Sequence, residues 1–328
     1  MHDGMNHASI HSSKNGRRDM DRTKNGLSIV IQGVRHVYKG GTVALDGIDL
    51  NIGTGLFGLL GPNGAGKSTL MRIICTLLAP SEGSVNVGGY DVIRERRDVR
   101  NLIGYLPQEF NAWRLHRVEE VLDSLASLSN MNDKGARRER VLKALESVGL
   151  LDVADRKVKK LSGGMVRRLG VAQAIIHDPR ILVVDEPTVG LDPEERLHFR
   201  QMVTRLGQDR IILLSTHIVA DLGSGCTNMA LIDHGKVEFE GSPAELMKRA
   251  KDSVFEITVS HQDESRITAG MEIVSRRDER TGVTIRAVSG GENLPEGART
   301  VENPNLEEAY LAFMASRGCA CLLYTSPS

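Results

Sequence analysis

Gly61-Pro62-Asn63-Gly64-Ala65-Gly66-Lys67-Ser68-Thr69 is the stretch of this chain best equipped for chemistry. It fits the pattern G-x-x-x-x-G-K-S/T. It stands between an apolar run, Leu56 to Leu60, and a segment with helical spacing at Leu70, Ile73, Ile74 and Leu77. The glycines let backbone N–H groups turn onto phosphate oxygens, and the helix N-terminus beyond adds partial positive charge. In that setting Lys67 reaches the β- and γ-phosphates and the Ser68 hydroxyl binds Mg2+. Alone, the pattern implies an NTPase or a kinase.

A second stretch is Ile181-Leu182-Val183-Val184-Asp185-Glu186. Four apolar residues ending in acid describe a buried parallel strand whose carboxyl edge faces a ligand crevice. Asp185 is expected to hold Mg2+ through water. Glu186, one residue beyond the strand, is placed to polarise an attacking water as general base. A third stretch, Leu161-Ser162-Gly163-Gly164-Met165, opens a helix with Arg167 and Arg168 on its polar side. Ser162 can cap that helix, and Gly163 and Gly164 let backbone approach a phosphate closely. A plain capped helix is the alternative for this third stretch alone.

These stretches need elements to hold them. Strands are expected at Ser28 to Gly33, Ala44 to Ile52 and Leu56 to Leu60. Residues of about 99–162 carry charged helical faces, for example Val118 to Leu128 and Arg137 to Val148, and read as a helical subdomain inserted into an α/β core. The core resumes with helix 164–177, strand 181–184, helix 193–206 and strand 210–215. A strand pair, Asn228 to Asp233 and Lys236 to Glu240, turns at His234-Gly235, and Pro243 opens a short helix. The main domain is thus expected over 27–248. Residues 252–315 form a separate small α+β unit, with strands at Val254 to Val259, Glu272 to Arg276 and Val283 to Val288 and a helix at Leu306 to Ala315. None of its residues belongs to a nucleotide motif, so it is expected to be dispensable for nucleotide binding.

The ends are different. Residues 1–26 are polar and read as a disordered extension, with Met20 as an alternative start. The tail 316–328 ends in Cys321 to Ser328, CLLYTSPS, which resembles the translation of a common transposon-end sequencing adaptor. Lys+Arg and Asp+Glu both number 42, a balance that argues against a nucleic-acid partner. No apolar run nears the ~20 residues needed to cross a bilayer, and no signal peptide is present. Cys75, Cys226, Cys319 and Cys321 are scattered and read as reduced thiols, with no second ligand cluster to make Cys319 and Cys321 a metal site. The expectation is a cytoplasmic protein.

Taken together, the phosphate loop, LSGGM and ILVVDE occur in the order and spacing of the nucleotide-binding subunits of ATP-binding-cassette (ABC) transporters, which the chain resembles over roughly 28–248. Tyr38 sits where that family stacks an aromatic on adenine. Gln108, in Tyr105-Leu106-Pro107-Gln108-Glu109, matches a glutamine that touches Mg2+ and the membrane subunit. Gly190-Leu191-Asp192-Pro193 matches the loop after the catalytic glutamate, and His217 matches a histidine contacting the γ-phosphate. Singly, Tyr38, Gln108 and His217 also fit a half-buried tyrosine, a surface glutamine and a core histidine. The family's commonest signature ends in Gln where this chain has Met165, as in its branch of drug, antibiotic and polysaccharide exporters.

The resemblance implies an α/β P-loop cassette with an inserted helical subdomain. It also implies ATP and Mg2+ as ligands, two copies sandwiching two ATP molecules head to tail, and a separate transmembrane permease. The protein would be peripheral on the inner face of the membrane. An importer, or a soluble cassette ATPase of translation or DNA repair, is the alternative. The latter usually carries two cassettes, a coiled coil or a zinc insertion, none of which is seen here. The segment Glu109 to Arg117, EFNAWRLHR, is expected to meet the permease, unless Trp113 packs inside the helical subdomain.

Overall fold

The computed structural model describes residues 26–223, 225–268, 271–279, 282–288 and 294–317. The N-terminal extension up to residue 25, Cys319, Cys321 and the CLLYTSPS tail lie outside these residues. The chain divides into two compact units, Met1–Glu240 and Gly241–Ser328.

The first unit is built on two sheets. One is antiparallel, in the order β2-β1-β4-β5, from β1 (Ile29–Val37), β2 (Val43–Ile52), β4 (Glu82–Val87) and β5 (Tyr90–Asp91). The other has the order β10-β9-β3-β8-β7-β6, from β3 (Gly55–Leu60), β6 (Ile103–Leu106), β7 (Ile181–Asp185), β8 (Ile211–Thr216), β9 (Cys226–Asp233) and β10 (Lys236–Gly241). Its strands β9, β3, β8, β7 and β6 run parallel. β7 and β8 are buried along their whole length, as strands covered on both faces must be. Helix α1 (Lys67–Ile74) packs against β2, β4 and β7, so its apolar residues Leu70, Met71, Ile73 and Ile74 join both sheets into one core.

Register brings the functional strands to a common edge. Leu60 at the end of β3 pairs with Thr216 of β8, and Asp185 of β7 pairs with Ser215. The loops after β3, β7 and β8 therefore open side by side at the carboxyl edge, where parallel α/β sheets bind ligands.

Helix α2 (Arg96–Leu102) precedes β6. The helical insert starts at Pro107, not near residue 99 as its charged helical character suggested. Ile103–Leu106 is a strand of the central sheet, paired with β7. Four residues are too few to display a period. The pairing is enforced by packing: a Cβ on Gly104 would stand 2.1 Å from the Ala174 carbonyl oxygen. The insert holds α3 (Val118–Leu128) and α4 (Lys134–Ser147) and leads into α5 (Gly163–Ile175); α6 (Pro193–Leu206) follows β7. The strands β4 and β5 were not visible in the sequence.

The second unit begins with α7 (Pro243–Arg249), which sequence had assigned to the first domain. Leu246 is its buried anchor, and α7 packs on α9 (Leu306–Ala315). β11 (Val254–Val259), β12 (Glu272–Glu279), β13 (Gly282–Val288) and β14 (Arg299–Thr300) form an antiparallel sheet, order β12-β13-β11-β14, with a short α8 (Glu264–Ile267) beside it. Phe255, Ile257, Val259, Val283, Ile285 and Ala287 make a core of its own.

Candidate functional site

The loop after β3 wraps the start of α1. Gly64 and Gly66 adopt φ of 83° and 107°, which favour glycine. Gly66 also lacks room for a side chain, since a Cβ would meet the Ala44 carbonyl oxygen at 2.5 Å. Ala65 is buried, and Gly235 donates its N–H to the Ala65 carbonyl at 3.0 Å, fixing the loop from below. Lys67 is buried at the centre. Its Nζ donates to the carbonyl oxygens of Gly61 at 2.7 Å and Pro62 at 3.0 Å, and lies 3.3 Å from Glu186 Oε1. Burial lowers the Lys67 ammonium pKa, and the Glu186 and Asp185 charges oppose that shift.

Glu186 has φ of 43°, a left-handed conformation that a residue with a Cβ adopts at a cost of about 1–3 kcal/mol. Two bonds hold it there: its N–H donates to Ser215 Oγ at 2.9 Å and to the Ser215 carbonyl at 3.2 Å. The turned backbone aims the carboxylate back at the pocket. Glu186 Oε2 accepts from Gln108 Nε2 at 3.4 Å and lies 3.3 Å from His217 Nδ1, without hydrogen-bond alignment to that nitrogen.

Asp185 is buried beside it and accepts from Ser215 Oγ at 2.6 Å and Ser68 Oγ at 3.2 Å. Hydroxyl, carboxylate and amide oxygens are the hard donors that Mg2+ takes, and Ser68, Asp185 and Gln108 supply one of each within a single cluster. Tyr105 at the end of β6 has its phenol pushed up to about 12, first by burial and then by Asp185, so it stays neutral near this acid.

A cleft of about 430 Å³ opens over these groups, walled by Asn63, Gly64, Gly66, Lys67, Ser68, Thr69, Gln108 and Glu186, with Tyr38, Thr42, Val43 and Ala44 on one side. Tyr38 is 39% exposed and its hydroxyl bonds Thr69 Oγ1 at 3.0 Å. His36 meets its ring edge-on at 4.7 Å. Sequence thus names a set of residues that the fold does bring together: Tyr38, the loop 61–69, Gln108, Asp185, Glu186 and His217.

Ser162, Gly163, Gly164 and Asp192 take no part in the walls of that cleft. Ser162 Oγ accepts from Met165 N at 3.1 Å as the cap of α5, and Asp192 Oδ1 accepts from Glu195 N at 2.9 Å as the cap of α6. The two caps are neighbours. A Cβ on Gly164 would stand 2.3 Å from the Glu195 carboxylate, which lies 3.5 Å from Arg168. A Cβ on Gly163 meets nothing within 4 Å. Gly163 instead lines a second groove, of about 550 Å³, with Gln108 to Ala112, Arg114, Val158, Lys159, Leu161, Val166 and Arg167. Trp113 is outside its walls and 48% exposed, so the helical subdomain does not enclose it.

Sequence missed the buried polar groups behind the site, Ser215 among them. Asp221 accepts hydrogen bonds from Thr188 Oγ1 and, at 3.0 Å, from Thr216 Oγ1, and Thr216 Oγ1 accepts from Ile218 N at 2.9 Å. All three side chains are buried. The network ties the loop behind Glu186 to the residue before His217. The available signal was an acid four residues beyond His217, after a strand that runs from four apolar residues into Ser215 and Thr216.

Three kinds of likeness agree with this geometry. The model of the family described as ABC transporter matches residues 45–189. The daunorubicin/doxorubicin resistance ATP-binding protein DrrA of Streptomyces peucetius is 38% identical over 249 residues, covering 74% of this chain and 73% of that protein. The Nod factor export ATP-binding protein I of Sinorhizobium fredii is 33% identical over 312 residues, 92% of this chain and 90% of that protein. Among solved structures, a dimeric bacterial ABC transporter cassette, MJ0796, superposes with a TM-score of 0.59 at 28% identity, covering 65% of this chain and 98% of that one. A post-hydrolysis form of the same cassette, bound to ADP and Pi, gives 0.59 at 27% identity. The chain belongs to the ABC transporter family, as an ATP-binding, ATP-hydrolysing subunit.

Proposed function

We propose that the protein powers export through a separate membrane subunit, as two copies that share two ATP molecules. The observation that carries this reading is the separation just described: one cleft holds every phosphate-side group, while Ser162, Gly163, Gly164 and Asp192 present capped helix ends elsewhere. A helix N-terminus is an anion site, and these can serve only the nucleotide of a second copy.

Within one copy the roles follow from position. The loop 61–69 and Lys67 take the phosphates, exchanging the Lys67–Glu186 pair for Lys67–phosphate contact. Tyr38 offers its exposed ring to adenine. Ser68, Asp185 and Gln108 would hold Mg2+, which supplies charge neutralisation of the phosphates when bound. Glu186, aimed by its left-handed backbone, accepts the proton of the attacking water, and His217 donates to the γ-phosphate. Export is supported by the relatives' names and by Met165 in the signature. The groove beside Gln108 is concave and mixes apolar with charged walls, which suits an element of the membrane subunit. Among the described residues no helix is long and apolar enough to cross a membrane.

The test uses size-exclusion with ATP. Glu186→Gln is expected to elute as a dimer. Gly163→Asp in that background places a carboxylate against the partner's phosphate without an internal clash, because its Cβ meets open space. The double variant should bind ATP and elute as a monomer. A dimer that survives Gly163→Asp refutes the shared site.

A further inference from the structure

Two segments of the helical insert, 113–118 and 156–160, run side by side as a ribbon. Lys159 N donates to the Arg114 carbonyl at 2.9 Å, Val158 N to His116 at 3.0 Å, and Val118 N to Arg156 at 3.0 Å, with an antiparallel bridge between Arg117 and Lys157. Val118 and Val158 are buried beneath. What the ribbon shows to solvent is Arg114, Arg117, Arg156, Lys157, Lys159 and Lys160, all exposed; the acids beside it, Asp155, Glu119 and Glu120, flank the two segments and do not lie within them. Of the six basic side chains, only Arg117 makes an ion pair among the described residues, with Glu120 at 4.0 Å. Two apolar side chains stand out on the same ribbon: Leu115 is 70% exposed and Trp113 48%. Among the described residues the one ring that Trp113 meets is His116, at 5.6 Å.

We propose that this ribbon is a contact surface for an anionic lipid bilayer. The proposal rests on the docking read above, because Arg114, Val158 and Lys159 also wall the groove beside Gln108, and a membrane subunit seated there turns this face toward the membrane. A solvated basic face is the ordinary meaning of such a charge cluster, but it gains nothing from an exposed Trp and Leu. A bilayer surface uses both: indole rings settle at the headgroup level, and long Lys and Arg side chains reach phosphates while their stems cover apolar surface. An acidic segment of the membrane subunit is the competing occupant. It would sit in the concavity, whereas Trp113, Leu115, Arg156, Lys157 and Lys160 lie outside the groove walls. Each basic side chain at an anionic surface is worth roughly fivefold in affinity.

Trp113 is the single tryptophan, so it reports its own environment. The full chain is mixed at low salt with vesicles of phosphatidylcholine alone or with phosphatidylglycerol added. With the anionic vesicles, Trp113 emission should shift to the blue and be quenched by brominated acyl chains, and the effect should fade as salt shortens the screening length. Arg156→Glu/Lys157→Glu/Lys160→Glu should weaken the response at least about 100-fold while ATP hydrolysis is unchanged. Lys157→Gln/Lys160→Gln, the gentler pair, should weaken it about 25-fold. The proposal is overturned by an equal shift on neutral vesicles, by no shift on anionic ones, or by variants that respond like the parent. Vesicle binding with no Trp113 shift also overturns it, since Lys14, Arg17, Arg18, Arg22 and Lys24 offer another basic segment. Variants that lose the membrane subunit but never touched lipid would reassign the ribbon to protein. Loss of the membrane subunit in Phe110→Ala is read separately and tests the docking itself.

Discussion

The phosphate cleft and the signature face are both built on helix N-termini next to glycines, yet they differ in how their polar atoms are paired. In the cleft most functional side chains are engaged by another: Lys67 with Glu186 and two carbonyls, Ser68 with Asp185, Gln108 with Glu186. On the signature face Ser162 and Asp192 only cap their own helices, and Gly163 looks onto open space. Burial forces the first arrangement, because an unpaired charge in a closed site is costly. Solvent permits the second. A region that satisfies itself can bind its ligand alone, and a region left open is completed from outside.

The most sensitive point of that contrast is Glu186. A positioned general base contributes about 10²–10⁴ in rate. Glu186→Gln keeps the size and the Gln108 neighbour, so turnover should fall by that range while ATP stays bound. Phosphate release measured beside nucleotide binding separates the two. A parental hydrolysis rate would remove Glu186 from its role and with it the idea that the cleft is chemically complete.

Lys67→Ala acts on binding. It removes a buried cation and leaves Glu186 without its partner. Charge-assisted contacts to phosphate are worth about 1.5–3 kcal/mol each, and Lys67 faces both the β- and γ-phosphates, so Mg-ATP affinity should drop by at least about 100-fold. Isothermal titration reads this directly, and unchanged affinity breaks the assignment.

Asp221 sharpens the comparison, because it is a self-satisfied network that touches no ligand. Thr188→Val removes one of its two donors with little change of shape. The expected result is a hydrolysis rate about tenfold lower with ATP affinity within about twofold, since small misplacement of reacting groups costs rate before binding. A fall in melting temperature with kcat unchanged would make Asp221 purely structural.

Much of the cleft was legible because its residues sit at the ends of elements with strong signals. β7 and β8 each open with four apolar residues in a row, and the glycine loop between β3 and α1 is set by backbone needs that only glycine meets. What stayed hidden was decided by long-range pairing. β6 has four residues and is a strand because β7 lies beside it. The left-handed turn at Glu186 depends on Ser215, which is far away in sequence. Asp221 looked like one more polar loop residue, since nothing local shows that two threonines enclose it. Trp113 was the opposite case: its type fits either an interface or a core, and only its exposure distinguishes them.

The smallest expected effect concerns the second unit. Its sheet and helices enclose their own core, and the described walls of the cleft all come from the first unit. A chain ending at Gly241 should therefore fold and bind ATP with an affinity within about twofold of the parent. The cut belongs there and not after Arg249, because α7 packs on α9 and would be left with Leu246 uncovered. One fully buried Leu costs about 1.5–3 kcal/mol when exposed and makes an apolar spot on which copies aggregate. The pair of truncations is thus a test in itself. The chain ending at Gly241 should be monomeric and soluble in light scattering, and the one ending at Arg249 less soluble with the same ATP affinity. If the shorter chain is the insoluble one, α7 belongs to the first unit after all. If it folds but loses ATP, the cleft depends on the second unit and is not self-sufficient.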